Sequence, residues 1–354
     1  MNYKVNTVII GGGPSGTACG NYLQAKGISN IIIEKRTFPR EKLCAGLVTT
    51  KTYRMIGKIW DLQHPGEALP EDLFCSETHD VRFYCANKLL IHARTSDPFR
   101  FVHRSHFDHF LAMLYTESGG TLLQNSYCKD YDFQTNTLKL QNGDTVTYQH
   151  LIAADGAFSR TRKALGIHRP ILGFCIETRI PNRKHSKYAP VRAYFGTIEN
   201  GYVWIFPSGN ELCVGLGSVY KKGVDYCAMF ERFLKMNHIH APRNTWKGAF
   251  VPYGECINQR DNPPDVVLIG DAGGFVDPFN GEGLYFALCT GNLAAQSIIR
   301  CEKNSTTLCS EFVKATSRYA KTIHQARIMQ KPMLSRKFWS LTKNIFRNQS
   351  KYAG

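Results

Sequence analysis

Residues 7–34 read TVIIGGGPSGTACGNYLQAKGISNIIIE, and this stretch constrains the fold more than any other. A β-branched run, Thr7-Val8-Ile9-Ile10, leads directly into Gly11-x-Gly13-x-x-Gly16. A helical stretch of small residues follows and stops at Gly27. A second apolar run, Ile31-Ile32-Ile33, then ends in the acid Glu34. That order is the strand–turn–helix–strand of a dinucleotide-binding βαβ unit. Gly11 permits the tight turn, Gly13 leaves room for a pyrophosphate against the backbone, and Gly16 lets helix and strand pack closely. The helix N-terminus turns free N–H groups and a positive dipole end toward the phosphates. Glu34 can accept from a ribose 2′-hydroxyl and would repel a 2′-phosphate, so FAD or NAD is expected rather than NADP.

With 354 residues the chain is long enough for two domains and a large core. The first strand begins within a few residues of Met1, so no secretory signal is expected. No uninterrupted apolar run reaches bilayer length. The most apolar late segment, Leu284 to Ile299, is interrupted by Asn292 and Gln296 and reads as a buried helix. The expectation is a cytoplasmic protein, or one peripheral at the inner face of the cell membrane. The twelve cysteines form no CxxC pair and no Cys/His cluster at zinc spacing, so no metal is expected; most read as small buried hydrophobes in a reducing compartment.

The net charge of +16 is unevenly placed. Between Arg300 and Gly354 twelve Lys/Arg face only Glu302 and Glu311. Such a tail suits an anionic surface, and with no nucleic-acid module in view lipid is favoured over nucleic acid. A solvated basic face with no partner is the plain alternative. Within residues 331–354, Leu334, Phe338, Leu341 and Ile345 fall on one helical stripe beside Arg336, Lys337, Lys343 and Arg347. This amphipathic pattern serves either a membrane surface or docking onto the protein itself.

Along the chain, a polar loop (Pro39 to Gly46) leads into a helical stretch around 49–59. Rough alternation between Asp80 and Arg94 suggests a hairpin of short strands. A strand near Phe101 passes into a helix reaching Ser118, with Phe107, Phe110, Leu111 and Leu114 on one face. A hairpin turned at Asn142-Gly143 precedes the buried strand Leu151–Ala154. After a β-rich stretch from Arg169 to Gly217, Val266–Ile269 repeats the opening signal and runs into Gly270-Asp271-Ala272-Gly273-Gly274. Dinucleotide signals thus occur at the start, near 100–160 and after 265. The fold class expected is α/β: a discontinuous Rossmann-like domain (1–75, 101–165 and 260–330) with an inserted, mainly antiparallel β-sheet substrate domain (76–100 and 166–259) and a C-terminal helical tail (331–354).

Three motifs carry a family resemblance over about residues 5–290: Gly11-x-Gly13-x-x-Gly16 with Glu34, then Ala154-Asp155-Gly156-Ala157-x-Ser159-x-x-Arg162, and Gly270-Asp271-Ala272-Gly273. Together they resemble the flavoprotein superfamily of p-hydroxybenzoate hydroxylase and, within it, the geranylgeranyl reductase family. The resemblance implies FAD as cofactor, held by Gly11, Gly13, Pro14, Ser15 and Gly16 with Glu34 and Lys35, and by Asp271 at the ribityl or ribose hydroxyls; Asp271 capping its own turn is the alternative. Asp277 to Leu284 resembles the loop at the flavin pyrimidine edge, where Gly281 and Gly283 would bring backbone N–H groups to the ring. Arg104, with Phe107, Asp108 and Leu111, resembles the R-x-x-F-D-x-x-L helix start near FAD, or it pairs Asp108 on the surface. Asp155 either meets the cofactor or secures its own turn.

Tyr202-Val203-Trp204-Ile205-Phe206-Pro207 resembles the Y-x-W-x-F-P element that lines an isoprenoid pocket in that family. On a strand Tyr202, Trp204 and Phe206 share a face, which would suit a greasy chain or equally a plain aromatic core. Cys44 occupies the position of a Cys-Gly-Gly segment near the flavin, but Ala45 replaces the first glycine; the thiol is a proton donor or merely packed. With one dinucleotide fingerprint, electrons must come from transiently docked NAD(P)H or a reduced carrier protein. The functions implied are hydride reduction of a carbon–carbon double bond in a prenyl or polyprenyl lipid, hydroxylation of an aromatic substrate by a flavin monooxygenase, or binding at a membrane surface without turnover.

Overall fold

The run Thr7–Ile10 lies in the middle of a sheet, and that position explains its unbroken apolar character. Strand β1 (Asn2–Ile10) pairs in parallel with β2 (Asn30–Ile33) on one side and β9 (Thr145–Ala153) on the other. Ile9 faces one core and Val8 and Ile10 the other, so no position is free to be polar. The computed structural model describes residues 1–60, 69–85, 87–182 and 188–333. Beyond β2, the short β6 (Thr121–Leu123) adds in parallel. On the far side of β9, its second half pairs β15 (Val266–Leu268) in parallel. Its first half pairs β8 (Thr137–Leu140), which pairs β7 (Cys128–Asp132), both antiparallel. The hairpin expected at Asn142-Gly143 is the β8–β9 turn, with Gly143 at φ 88°.

Helix α1 (Pro14–Gln24) returns from β1 to β2 and packs against α6 (Leu284–Asn304), itself followed by α7 (Leu308–Met333). The small residues of α1 have a reason: a Cβ at Gly291 of α6 would lie 2.2 Å from the Ser15 carbonyl oxygen, so the two helices cross almost backbone to backbone. Helices α2 (Thr50–Ile59) and α3 (Arg104–Glu117) complete that side, with Phe107 and Leu111 fully buried beside Ile56. The short α4 (Arg160–Ala164) follows β9.

The second sheet runs in the order β14-β10-β13-β12-β11-β4-β5-β3. Its members are β3 (Leu47–Val48), β4 (Ser76–Cys85), β5 (Lys88–Phe101), β10 (Leu172–Pro181), β11 (Val191–Phe195), β12 (Gly201–Ser208), β13 (Glu211–Val219) and β14 (Lys247–Pro252). Every pairing is antiparallel except β11 with β4. One face is covered by α5 (Tyr226–Met236), whose Phe230, Phe233 and Leu234 bury against Val203, Ile205, Val214 and Leu216. Each such side chain contributes about 1.5–3 kcal/mol. The fold is therefore the expected one, a discontinuous Rossmann-like α/β unit carrying a largely antiparallel sheet.

Two details differ from the sequence reading. The strands around Asp80–Arg94 are long, 10 and 14 residues, rather than short. β5 is largely exposed and lies near the sheet edge, where Pro98 is tolerated and apolar alternation is not demanded. In addition, Leu47–Val48 joins the second sheet through β5, although it lies in the sequence beside the dinucleotide unit. The amphipathic stripe Leu334–Ile345 lies outside the described residues. Among the described residues, no helix is long and apolar enough to cross a membrane.

Candidate functional site

The three motifs that are far apart in sequence meet at the N-terminus of α1. Gly11 has φ 105°, and a Cβ there would sit 2.4 Å from the Ala154 carbonyl oxygen, so the first glycine turn rests on the end of β9. A Cβ at Gly16 would lie 2.0 Å from the Gly11 carbonyl oxygen. At Gly13 the nearest neighbour of a Cβ is Arg40 Nη2, at 3.6 Å. The first and third glycines are therefore demanded by the protein's own packing, whereas the second opens onto space. No side chain caps α1 at Gly13, and Pro14 occupies its first turn, where a missing N–H is harmless. The Gly270 turn closes in from the other side: a Cβ at Gly270 would lie 2.9 Å from Ser15 Oγ.

Arg162 holds this junction together. It is 3% exposed, and its guanidinium donates to the Ala272 carbonyl at 2.9 Å and the Ala157 carbonyl at 2.6 Å, joining the Asp271 turn to the Asp155 turn. Asp155 itself accepts from the Arg160 and Thr161 N–H groups at 2.8 and 3.1 Å and so caps α4, the turn-securing role left open by the sequence. Asp271 pairs with Lys42 at 3.3 Å, which brings the Pro39–Gly46 loop over the site.

Glu34 ends β2 buried, accepting from the Gly12 N–H and the Arg36 N–H, both at 3.0 Å. Two carboxylate oxygens still leave room for a hydroxyl donor. Lys35, beside it, is exposed. Arg104 chelates Asp108 at 2.7 and 3.0 Å; the pair foreseen on the surface is buried, and it is shared with Arg40, which donates to Asp108 at 3.0 Å and approaches Glu34 at 3.4 Å. A chain Glu34–Arg40–Asp108–Arg104 thus runs beneath the glycine turn. Arg40 was missed in the sequence: its only signal was a basic residue in a polar loop, and its partners lie 6 and 68 positions away.

At the other end, the loop before α6 turns on Asp277, whose Oδ1 accepts from the Phe279 N–H at 2.7 Å. Gly281 has φ 71°, and Gly283 sits at the N-cap of α6 with a would-be Cβ 3.4 Å from Asp271 Oδ1. Glu282 accepts from Thr49 Oγ1 at 2.9 Å and pairs with Lys51, fixing the loop to α2. Tyr202 Oη donates to the Asn280 carbonyl at 2.7 Å, and burial raises its phenol well above the usual tyrosine range.

Tyr202, Trp204 and Phe206 share the β12 face opposite α5, with ring centroids 5.7 and 6.4 Å apart, packing with Phe101, Val191, Ala45 and Leu47. The glycines of Val214-Gly215-Leu216-Gly217 make the space: a Cβ at Gly215 would lie 2.3 Å from the Trp204 ring. Gly215→Ala should therefore displace the indole and destabilise the protein by about 1–3 kcal/mol, read from the denaturation midpoint; an unchanged midpoint would contradict this packing. Cys44 is half-buried near this wall, its sulfur 3.4 Å from the Gly46 N–H. None of the twelve cysteines forms a disulfide with another.

A glycine turn open at its second position, a helix N-terminus, a buried ribose-length acid and a second acid brought in by Gly270-Asp271 define an FAD-dependent oxidoreductase, and the residues present fit that cofactor. The chain belongs to the pyridine nucleotide-disulphide oxidoreductase family, whose model matches residues 5–184. It is 26% identical to the chloroplastic geranylgeranyl diphosphate reductase of Arabidopsis thaliana over 88% of this chain and 69% of that protein. It is 27% identical to the menaquinone reductase of Mycolicibacterium smegmatis over 84% of this chain and 76% of that protein. The crystal structure of a geranylgeranyl bacteriochlorophyll reductase-like protein from Thermoplasma acidophilum superposes with a TM-score of 0.82 at 20% identity, covering 98% of this chain and 92% of that one. That likeness is one of fold.

Proposed function

We propose that this protein reduces a carbon–carbon double bond of a prenyl or polyprenyl lipid. The observation that carries the reading is the wall of Tyr202, Trp204 and Phe206, a broad aromatic face linked through Tyr202 to the loop preceding α6. The names of the two relatives, reductases of a geranylgeranyl diphosphate and of a menaquinone, support it. FAD, when bound and reduced, supplies the hydride.

In this reading residues 1–75, 101–165 and 260–330 hold the cofactor. Gly11, Gly13, Pro14, Ser15 and Gly16 bind the pyrophosphate at the start of α1, Glu34 and Lys35 face the adenosine ribose, and Asp271 takes a ribityl or ribose hydroxyl. Arg104 supports this site through Asp108, Asp155 through the turn it caps. The Gly281 and Gly283 N–H groups meet the pyrimidine edge. Residues 76–100 and 166–259 hold the lipid, with Cys44 at the junction. NAD(P)H or a reduced carrier protein provides electrons. The +16 charge and basic residues 331–354 favour work at an anionic membrane surface.

The test is anaerobic. Holo-protein reduced with dithionite and mixed with geranylgeranyl diphosphate or menaquinone should regain the absorbance of oxidised flavin, and the lipid should gain two hydrogens by mass. No reoxidation across a panel of prenyl lipids would reject the reading. Reoxidation that needs oxygen and yields a hydroxylated aromatic product would assign the protein as a monooxygenase instead.

A further inference from the structure

On the same face of the second sheet as the aromatic wall lies a carboxyl group that the site has not yet used. Glu177 stands in the middle of β10, 6% exposed, opposite Gly215 of β13 and Lys247 of β14. Cys213, which packs in the cluster of Trp204 and Phe206, places its thiol 3.6 Å from Glu177 Oε2. The backbone N–H of Cys44 faces the same carboxyl. Glu177 therefore joins the greasy wall to the Cys44 loop, and it does so with an acid where packing alone would have selected a hydrocarbon.

Several charged and titratable groups among the described residues face it. Along its own strand are Cys175 and Arg179, on β13 Cys213, on β14 Lys247, and on the loop Cys44. Lys247 is drawn outward by Glu41, 3.9 Å away, and Arg179 donates to Ser208. His103, near Arg179, is held below the ordinary histidine value by burial and then by that cation, so it does not add a charge here near neutrality.

We propose that Glu177 is the acid behind this aromatic wall, holding beside Cys44 the proton that balances hydride addition to the substrate's double bond. The inference rests on the reading of the protein as a double-bond reductase. Hydride, with two electrons from reduced flavin, forms a C–H bond at one carbon. The π pair breaks and forms the second C–H bond with the proton of the Glu177 O–H. The carboxylate left behind is stabilised by the Cys44 N–H, Arg179 and Lys247, and water returns the proton.

Burial raises the Glu177 carboxyl above its ordinary value, against opposing pulls from Arg179, the Cys213 thiol, the Cys44 N–H and Lys247. Because the folded value is raised, the folded state binds the proton more tightly than the unfolded chain. The stabilisation is present below the ordinary carboxylate value and is lost as pH rises through the folded one.

The near-isosteric Glu177→Gln protein, as holo-protein, tests this in two ways. Its thermal midpoint should gain on wild type as pH rises from the ordinary carboxylate value through the raised folded one, and the flavin content should be unchanged. In single turnover with a prenyl lipid, its flavin reoxidation should slow about 100-fold or more, while reduction by dithionite is unaltered and Glu177→Asp recovers part of the rate. A midpoint gap independent of pH, reoxidation at the wild-type rate, or loss of FAD on substitution would each overturn the proposal. If wild type itself is not reoxidised by prenyl lipids, the double-bond reading fails and the donor role falls with it. Equal rates in wild type and Glu177→Gln would remove the role alone.

Discussion

Gly13→Val will yield a folded protein without its yellow colour. The backbone there has φ −75° and ψ 178°, ordinary for any L-residue, and a Cβ meets nothing closer than Arg40 Nη2 at 3.6 Å. The substitution is therefore cheap for the empty fold. In the proposed binding mode it fills the space through which a pyrophosphate would reach the first N–H groups of α1. Hydrogen bonds to a charged acceptor are worth about 1.5–3 kcal/mol each. Losing two weakens FAD binding by about 3–6 kcal/mol, roughly a hundred- to ten-thousand-fold. Flavin absorbance after gel filtration reads the binding, and the denaturation midpoint of the flavin-free protein reads the fold. Gly16→Val is the control: its Cβ would lie 2.0 Å from the Gly11 carbonyl oxygen, so it should damage folding itself. A Gly13→Val protein that keeps full flavin would show that this turn does not hold the cofactor.

The second large effect is expected at Asp108. Its carboxylate is fully enclosed and accepts from Arg104 twice and from Arg40 once. Asp108→Asn keeps the shape and removes the charge, leaving two largely buried guanidinium groups facing a neutral amide. Breaking a buried ion pair from one side costs about 3–5 kcal/mol, visible as a lower denaturant midpoint in the flavin-free protein. Arg40 would then keep Glu34 and its stack over the Phe38 ring, and FAD should also bind more weakly. A loss below about 1 kcal/mol, the range of exposed pairs, would mean that solvent reaches this network.

The opening βαβ unit was legible because its signals are local. Strand, turn, helix and acid fall within thirty residues, and each glycine has a steric reason that the sequence spacing exposes. The face shared by Tyr202, Trp204 and Phe206 was legible for the same reason, since a strand repeats every two residues. The length of β5 was not, because a strand near the sheet edge needs no apolar alternation. Neither were the partners of Arg40, Lys42 and Glu177. Their ion pairs and hydrogen bonds join loops and strands from 6 to 229 residues apart, and no periodicity records them. The Arg104–Asp108 spacing was visible, but not that the pair would be buried: exposure is a property of what packs over a helix, not of the helix.

By itself the sequence determined that the chain builds a dinucleotide turn, that a second acid follows a second buried strand, and that three large rings line one face. These follow from backbone geometry acting over a few residues. Only the tertiary structure decided that Gly270 would close on Ser15, that Arg162 would tie the Asp155 turn to the Asp271 turn, and that a glutamate would sit buried behind Cys44. Such contacts arise when sheets and helices exclude water together, and the charge or proton state of a side chain is set by that enclosure rather than by its neighbours in the chain.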